Sequence, residues 1–277
     1  MMVNTAIFSD LDGSLCFHGK IHKINTIGKS KIGNGNGNLI VQDDFSNINR
    51  EVYDFSNKLY DVYFDIYTEK LCQKLSKKND FIIVTGARFS TIQSRKKRLG
   101  FVNYIIYENG GIILDKNWEK DKVWDERIRP SLNDLEKIIN ELEKDNWNLD
   151  IEGRKTSVRI REKDNKNKSL ETLNNKLVLP NTLKKTRNLG SIDIIPKLSG
   201  KENAVKYLIE KNKYQSLIGI GDDINDIGML KLMNKSFVLG NSYREVLDVA
   251  KNKNWYVSKK KYFESINEIL EIISQDF

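Results

Sequence analysis

The chain of 277 residues predicts an α/β fold, a doubly wound parallel sheet with an inserted α+β module. Three observations predict it. Short apolar runs that end in polar residues recur along the chain, amphipathic helical patterns separate them, and this rhythm breaks between about residues 118 and 195. Strands alternating with helices require crossover connections, and crossovers produce a parallel sheet whose strand ends face one way.

The first apolar run, TAIF (5–8), leads into DLDGS (10–14). Side chains alternate along an extended chain, so Asp10 and Asp12 point to one side and their carboxylates lie close together. Like charges at that distance either share a proton or hold a cation. Gly13 lets the chain turn at once, and on this stretch alone a strand ending in a polar turn is an equal reading. From Phe17 to about Tyr60 the chain carries GKSKIGNGNGN, LIVQDDF and many asparagines. This insertion, at about 17–60, reads as a surface loop placed to act as a flap.

YTEKLCQKLSKKND then reads as a helix, FIIVTGAR (81–88) as a buried strand with Thr85 at its end, and STIQSRKKRLG as a second helix. YIIYENGGIILD (104–115) reads as two strands joined by a tight turn. In the altered region SLNDLEKIINELEKDN (131–146) is helical, WNLDIEG and KTSVRIRE alternate as strands, KSLETLNNKL is helical, and TLKKTRNL and GSIDIIP are extended. The order α, β, β, α, β, β suggests an antiparallel sheet with helices on one face, lying as a cap over the strand ends. The expected division is therefore core over 1–117, cap over 118–195 and core again over 196–277. In the last part KENAVKYLIEKN is helical, SLIGIGDD is a strand ending in acid, INDIGMLKLM is a short helix and KSFVLG is a strand. Ligands of such sheets bind beyond the carboxyl ends of the strands, where Asp10, Asp12, Thr85, Asp222 and Asp223 all fall.

The net charge of +8 is spread along the chain. Its clusters, SRKKRLG (94–100) and SKKKYF (258–263), sit beside helical patterns and read as solvated surface, without the interleaved aromatics of a base-stacking platform. Nucleic acid is not an expected partner. No run approaches a membrane span and the first strand begins at once, so neither membrane anchor nor signal peptide is expected. Two cysteines, Cys16 and Cys72, show no metal-type spacing and fit a reducing cytoplasm. His18 and His22 fall in a loop-like stretch, which leaves the chemistry to carboxylates and lysines.

Four pieces now stand in order: DLDGS, VTGAR (84–88), PKLSGK (196–201) and GDDINDIGML (221–230). Together they resemble the motifs of the haloacid dehalogenase (HAD) superfamily of phosphohydrolases, whose core is Rossmann-like. The inserted module is similar in topology to the large α/β (C2-type) caps of sucrose-phosphatase and trehalose-phosphatase-like enzymes, and GSIDIIPKLSGKENAVKYL resembles their third motif. Two features depart from the pattern. Ser14 stands where the family usually has threonine, and the long 17–60 insertion has no clear counterpart.

The resemblance implies a Mg2+-dependent phosphatase of a small phosphorylated sugar or sugar derivative, working as a monomer or homodimer. It implies Asp10 as nucleophile and Asp12 as general acid and base, with Asp10, the Asp12 main chain and Asp222 holding the metal and Asp223 and Asp226 in support. Thr85, Gly86, Lys201 and Asn225 would hold the phosphate, with Lys197 as a second choice for the lysine. In the cap, Glu152 and Arg154 are similar to the E-x-K pattern of trehalose-phosphatase caps, with arginine in place of lysine, and would reach sugar hydroxyls from one strand face, though a charged outer face of the sheet is an equal reading. A phosphosugar mutase of the phosphomannomutase type shares this core and similar cap, and would pass the phosphoryl group to another sugar instead of water. A non-catalytic binding protein of the same fold is the third reading; retention of so many carboxylates argues against it.

Overall fold

The computed structural model describes residues 4–18, 25–26, 38–42, 49–55, 62–188 and 190–276. A seven-stranded sheet runs in the order Tyr256–Val257, Lys235–Val238, Ser216–Gly221, Thr5–Ser9, Asp80–Val84, Tyr104–Tyr107, Ile112–Asp115. All neighbours pair in parallel except the last strand, which returns antiparallel on Tyr104–Tyr107 as the expected hairpin. Thr5–Ser9 sits near the centre, with Ile7 opposite Ile218 on one side and Phe81 on the other.

The central strands are apolar throughout because each feeds two cores. Ile7, Phe81, Ile83, Ile105, Ile218 and Ile220 pack on one face with Leu71 and Cys72 of helix Ile66–Ser76 and Phe263, Ile266 and Leu270 of helix Tyr262–Asp276. Their alternates Ala6, Phe8, Ile82, Val84 and Ile106 pack on the other face against Ala204, Val205 and Leu208 of helix Lys201–Asn212. Helices thus cover both faces, and the strand ends gather on one rim.

Between these halves lies a four-stranded antiparallel sheet in the order Leu149–Asp150, Val158–Arg161, Ser191–Pro196, Leu183–Asn188. Val158, Ile160, Ile192 and Ile194 turn to helices Leu132–Lys144 and Leu170–Lys176, meeting Leu135, Ile138, Leu142, Leu170 and Leu173. At roughly 2 kcal/mol for each fully buried aliphatic side chain, this module holds a core of its own. Period-two alternation sends Arg159, Arg161 and Asp193 to the opposite face.

The 17–60 insertion departs from the loop expected of it. Its described parts belong to a five-stranded antiparallel sheet in the order Cys16–His18, Val62–Asp65, Asn49–Asp54, Asn38–Gln42, Asn25–Thr26. Val52, Tyr53, Val62 and Phe64 are buried in the same core as Ile7 and Phe81. The strand signal in NLIVQ and REVYD is short, and the surrounding asparagine and glycine obscure it. Residues 28–37 of the Gly/Asn run, His22 and most of the supposed flap lie outside the described residues. Cys16 and Cys72 are buried free thiols, and among the described residues no helix is long and apolar enough to cross a membrane.

Candidate active site

The strand Thr5–Ser9 delivers Asp10 to the rim, where its amide donates to the Ile220 carbonyl of the neighbouring strand at 3.0 Å. Leu11 turns into the core, while Asp10 and Asp12 both line the cavity above the rim. Gly13 has φ +98°, and a Cβ there would lie 2.3 Å from Asp222 Oδ2. Glycine is therefore what lets the first and last acidic loops meet. Ser14, in the place of threonine, keeps the hydroxyl function by donating to Asp222 Oδ1 at 2.8 Å.

Lys201 opens the helix Lys201–Asn212, and its ammonium donates to Asp10 Oδ1 and Asp226 Oδ1, each at 2.6 Å. Its side chain is 2 % exposed, unlike that of a solvated helix-surface lysine, whereas Lys197, the second choice, is exposed. Asp10, Asp222 and Asp226 can place carboxylate oxygens within 4.8 Å of one another. One ammonium cannot neutralise this group. Burial, only partly offset by Lys201, pushes Asp10 up to about 8, and burial with the charges of Asp10 and Asp226 holds Asp222 well above the ordinary carboxylate range. Asp223 is also raised, by burial and by Asp226. Burial works against the charge of Lys201, but Asp10 and Asp226 outweigh it and hold Lys201 above the ordinary lysine value.

The set fits a divalent cation of the Mg2+ type, which prefers hard oxygen donors and here would restore charge to buried carboxylates. Among the three, Asp226 is already committed. Its Oδ1 accepts from Lys201, and its Oδ2 accepts from the amides of Asp222 and Asp223 at 3.1 and 3.0 Å. Lys201 takes one oxygen of Asp10 and Ser14 one of Asp222, and the second oxygen of each meets no donor among the described residues. The donor set therefore favours Asp10 and Asp222 as ligands and Asp226 as the brace for Lys201 and the acidic loop.

The Asp12 carboxylate pairs elsewhere, with Oδ1 2.7 Å from Nη1 of Arg95. Arg95 belongs to the SRKKR cluster that reads as solvated surface, yet its side chain is only 4 % exposed. Thr85 is buried at the end of its strand, and its Oγ1 accepts from the Ala87 amide at 3.1 Å, closing the turn that presents Gly86. A Cβ on Gly86 would stand 2.7 Å from Asn109 Oδ1, so a side chain there would displace the asparagine. Asn225 Nδ2 approaches that same Oδ1 at 3.4 Å, and Asn109 Nδ2 donates to Asp193 Oδ2 at 2.6 Å.

Thr85, Gly86, Lys201, Asn225, Asp10, Asp12 and Asp223 share a cavity of about 430 Å3 with residues of the inserted sheet. Asp222 and Asp226 are buried and do not line it. Of the two expected cap residues, Arg154 lines the cavity and Glu152 does not. Neither stands on a strand: Glu152 and Gly153 form the turn between Leu149–Asp150 and Val158–Arg161, so the shared strand face expected of Glu152 and Arg154 is not formed. Glu152 is exposed, and its carbonyl accepts from Arg88. Arg88, Arg95, Asn109, Arg159, Arg161 and Asp193 join the site without having been expected there from the sequence. Only Arg159 and Arg161 carried a signal, the alternation of SVRIR.

The chain matches the family described as sucrose-6F-phosphate phosphohydrolase over residues 67–273. No curated protein matches it. Among solved structures it is similar to the sucrose-phosphatase of Synechocystis bound to sucrose and phosphate, with a TM-score of 0.61 at 14% identity over 99% of this chain and 98% of that one. It is also similar to a HAD/COF-like hydrolase of Plasmodium vivax (TM-score 0.65, 13% identity, 100% and 97% covered). A haloacid dehalogenase-like hydrolase of B. subtilis gives 0.63 at 13% identity, with 96% and 98% covered. At these identities the likeness shows the fold, a parallel core with a separate antiparallel cap sheet.

Proposed function

Because the chain belongs to the sucrose-6F-phosphate phosphohydrolase family of the HAD superfamily, and so to the phosphoric monoester hydrolases, we propose that it is a Mg2+-dependent phosphatase of a small phosphorylated sugar or sugar derivative, working through an aspartyl phosphate. One observation supports this reading above the others. Lys201 bridges Asp10 and Asp226 at 2.6 Å beside buried Asp222, in the cavity that also holds Asp12 and the Thr85–Gly86 turn.

Asp10, Asp222 and the Asp12 main-chain carbonyl would hold the metal, with Asp223 and Asp226 in support. When bound, Mg2+ supplies positive charge that keeps Asp10 ionised and reduces its repulsion from the anionic ester. In the first step an Asp10 oxygen bonds to phosphorus as the bond to the sugar oxygen breaks, and Asp12 gives that oxygen its proton. In the second step Asp12, now a carboxylate, takes a proton from water. The water oxygen bonds to phosphorus and the Asp10–phosphorus bond breaks, releasing inorganic phosphate and restoring Asp10. Arg95 holds the Asp12 carboxylate in place through its 2.7 Å contact. Lys201, the Thr85 hydroxyl, the Gly86 amide and the Asn225 amide face the charge that gathers on the phosphoryl oxygens.

The test is a screen of phosphorylated metabolites with Mg2+, including sucrose 6F-phosphate because the Synechocystis relative was solved with sucrose and phosphate. Mg2+-dependent release of free phosphate from a sugar ester is the expected result. Transfer of the group to a second sugar without free phosphate would instead favour a mutase.

A further inference from the structure

Besides the carboxylates, the cavity is lined by the guanidinium-bearing side chains of Arg88, Arg95, Arg154, Arg159 and Arg161. Arg88 Nη2 donates to Asp150 Oδ1 at 2.7 Å, Arg154 Nη2 reaches Asp150 Oδ2 at 3.4 Å, and Arg161 Nη2 donates to the same Oδ2. One carboxylate thus orients three cations. Arg88, Arg154 and Arg161 line the cavity while Asp150 does not, so the carboxylate stands behind and the guanidiniums face inward. Arg161 has one further acidic neighbour, Asp164 at 3.8 Å, which is well exposed and therefore weakly compensating.

Arg154 is the most informative of the three. Its side chain is 2 % exposed, and its buried Nε has no hydrogen-bond partner. Its remaining contacts, to Gly86 O and Ser157 Oγ, are both long at 3.4 Å. Burial and the neighbouring Arg159 charge hold Arg154 below the ordinary arginine value. Arg159 stands next to it, paired to Asp193 at 2.6 Å. Buried guanidinium donors left short of acceptors are costly, and an anion is their natural complement. The mainly basic lining also continues outward: Arg159, Arg161 and Ser191 are shared with a neighbouring hollow of about 560 Å3 that adds Lys163 and Lys166 along with one acidic residue, Glu162.

We propose that the Arg88–Arg154–Arg161 cluster is a second anion subsite, and that the substrate is a phosphate ester bearing another anionic group, a carboxylate or a second phosphate, on the part of the molecule that faces the cap. The inference rests on the phosphatase reading of the same cavity. A neutral sugar would leave the cluster's donors to hydroxyls, which accept less strongly than a carboxylate or phosphate. The Gly86 carbonyl contact places Arg154 beside the turn proposed to hold the scissile phosphate, so the two anionic groups of the ligand would lie within one small molecule.

The experiment uses the full chain with Mg2+ and three matched esters: glucose 6-phosphate, 6-phosphogluconate and glucose 1,6-bisphosphate. Phosphate release should give a kcat/KM for one of the anion-bearing esters about 100-fold above that for glucose 6-phosphate, and which one identifies carboxylate or phosphate as the second group. Arg161→Gln, with its melting temperature checked against the wild type, should reduce that preference by about tenfold, mainly through KM, and Arg161→Lys should recover part of it. Glucose 6-phosphate turned over as well as both others, or Arg161→Gln slowing all three by one factor, would overturn the proposal. If none is hydrolysed, calorimetric binding of the same three compounds decides. Tighter binding of an anion-bearing compound supports the subsite and counts against the phosphatase reading, and equal binding overturns the subsite.

Discussion

Replacing Lys201 by alanine removes the single ammonium that joins Asp10 to Asp226. Both contacts are 2.6 Å, and the side chains are 2 % exposed for Lys201, 5 % for Asp10 and 0 % for Asp226. Water cannot replace the lost charge without opening the rim, so the cluster must take up one further proton. At pH 7, about three pH units above where a carboxylate ordinarily titrates, holding that proton costs about 4 kcal/mol, in line with the roughly 3–5 kcal/mol found when one partner of a buried ion pair is removed. For a chain of this size that lowers the melting temperature by about 8 °C. The sign with pH follows. A carboxylate whose folded pKa is raised contributes full stability below its unfolded value and loses it as pH rises, so the deficit of Lys201→Ala should shrink to about 1.5 kcal/mol at pH 5. Phosphate release should fall by about 1,000-fold, as when a positioned electrostatic donor is removed. Differential scanning calorimetry at both pH values and a phosphate-release assay read all three effects. A variant melting within about 1 °C of the wild type at pH 7 and retaining more than about a tenth of its activity would refute the reasoning.

Gly13→Ala combines φ +98° with a Cβ 2.3 Å from Asp222 Oδ2, so it should push Asp222 off the cluster. Thermal stabilisation by Mg2+ should disappear and phosphate release should drop by about 100-fold. Arg95→Gln leaves Asp12 without its buried cation, and steady-state kinetics should show kcat down by about 100-fold with KM little changed. Asp121 caps the helix Lys122–Ile128. Burial works against its charge, but hydrogen bonds from Lys211, the Trp124 amide and Tyr207 hold its carboxyl below the ordinary range. Its charge therefore stabilises the fold above the unfolded carboxylate value and ceases to do so as pH falls through the lower folded value. Asp121→Asn, which keeps a capping acceptor, should melt below the wild type at neutral pH and converge on it below about pH 4.

The central sheet is legible in the sequence because its strands are buried on both faces and read as unbroken apolar runs such as TAIF and FIIV. The acidic loops are legible because DLDGS and GDDIND each follow such a run within a few residues. What escapes is set by contacts distant along the chain. Arg95 sits in a run of cations that looks solvated, and only the fold brings Asp12 to it. Asn109 lies in a turn with φ +53°, and its partner Asp193 is 84 residues away on the inserted sheet. The commitment of Asp226 to backbone amides depends on the turn at residues 222–226 and not on residue type. Arg159 and Arg161 were readable as one face of an alternating strand, but which face looks at the cavity is decided by the helices covering Val158 and Ile160. The insertion hid for a compositional reason, since asparagine and glycine between short strands obscure a period of two.

The central claim is that Asp10 carries the phosphoryl group between sugar and water. Acid-quenching the wild-type protein in mid-turnover with a radiolabelled phosphate ester and Mg2+, then mapping the labelled peptide, tests it most directly. The account predicts label on the peptide containing Asp10 and none in Asp10→Asn. Phosphate released in a single turnover without label on that peptide, or by a folded Asp10→Asn variant, would contradict it.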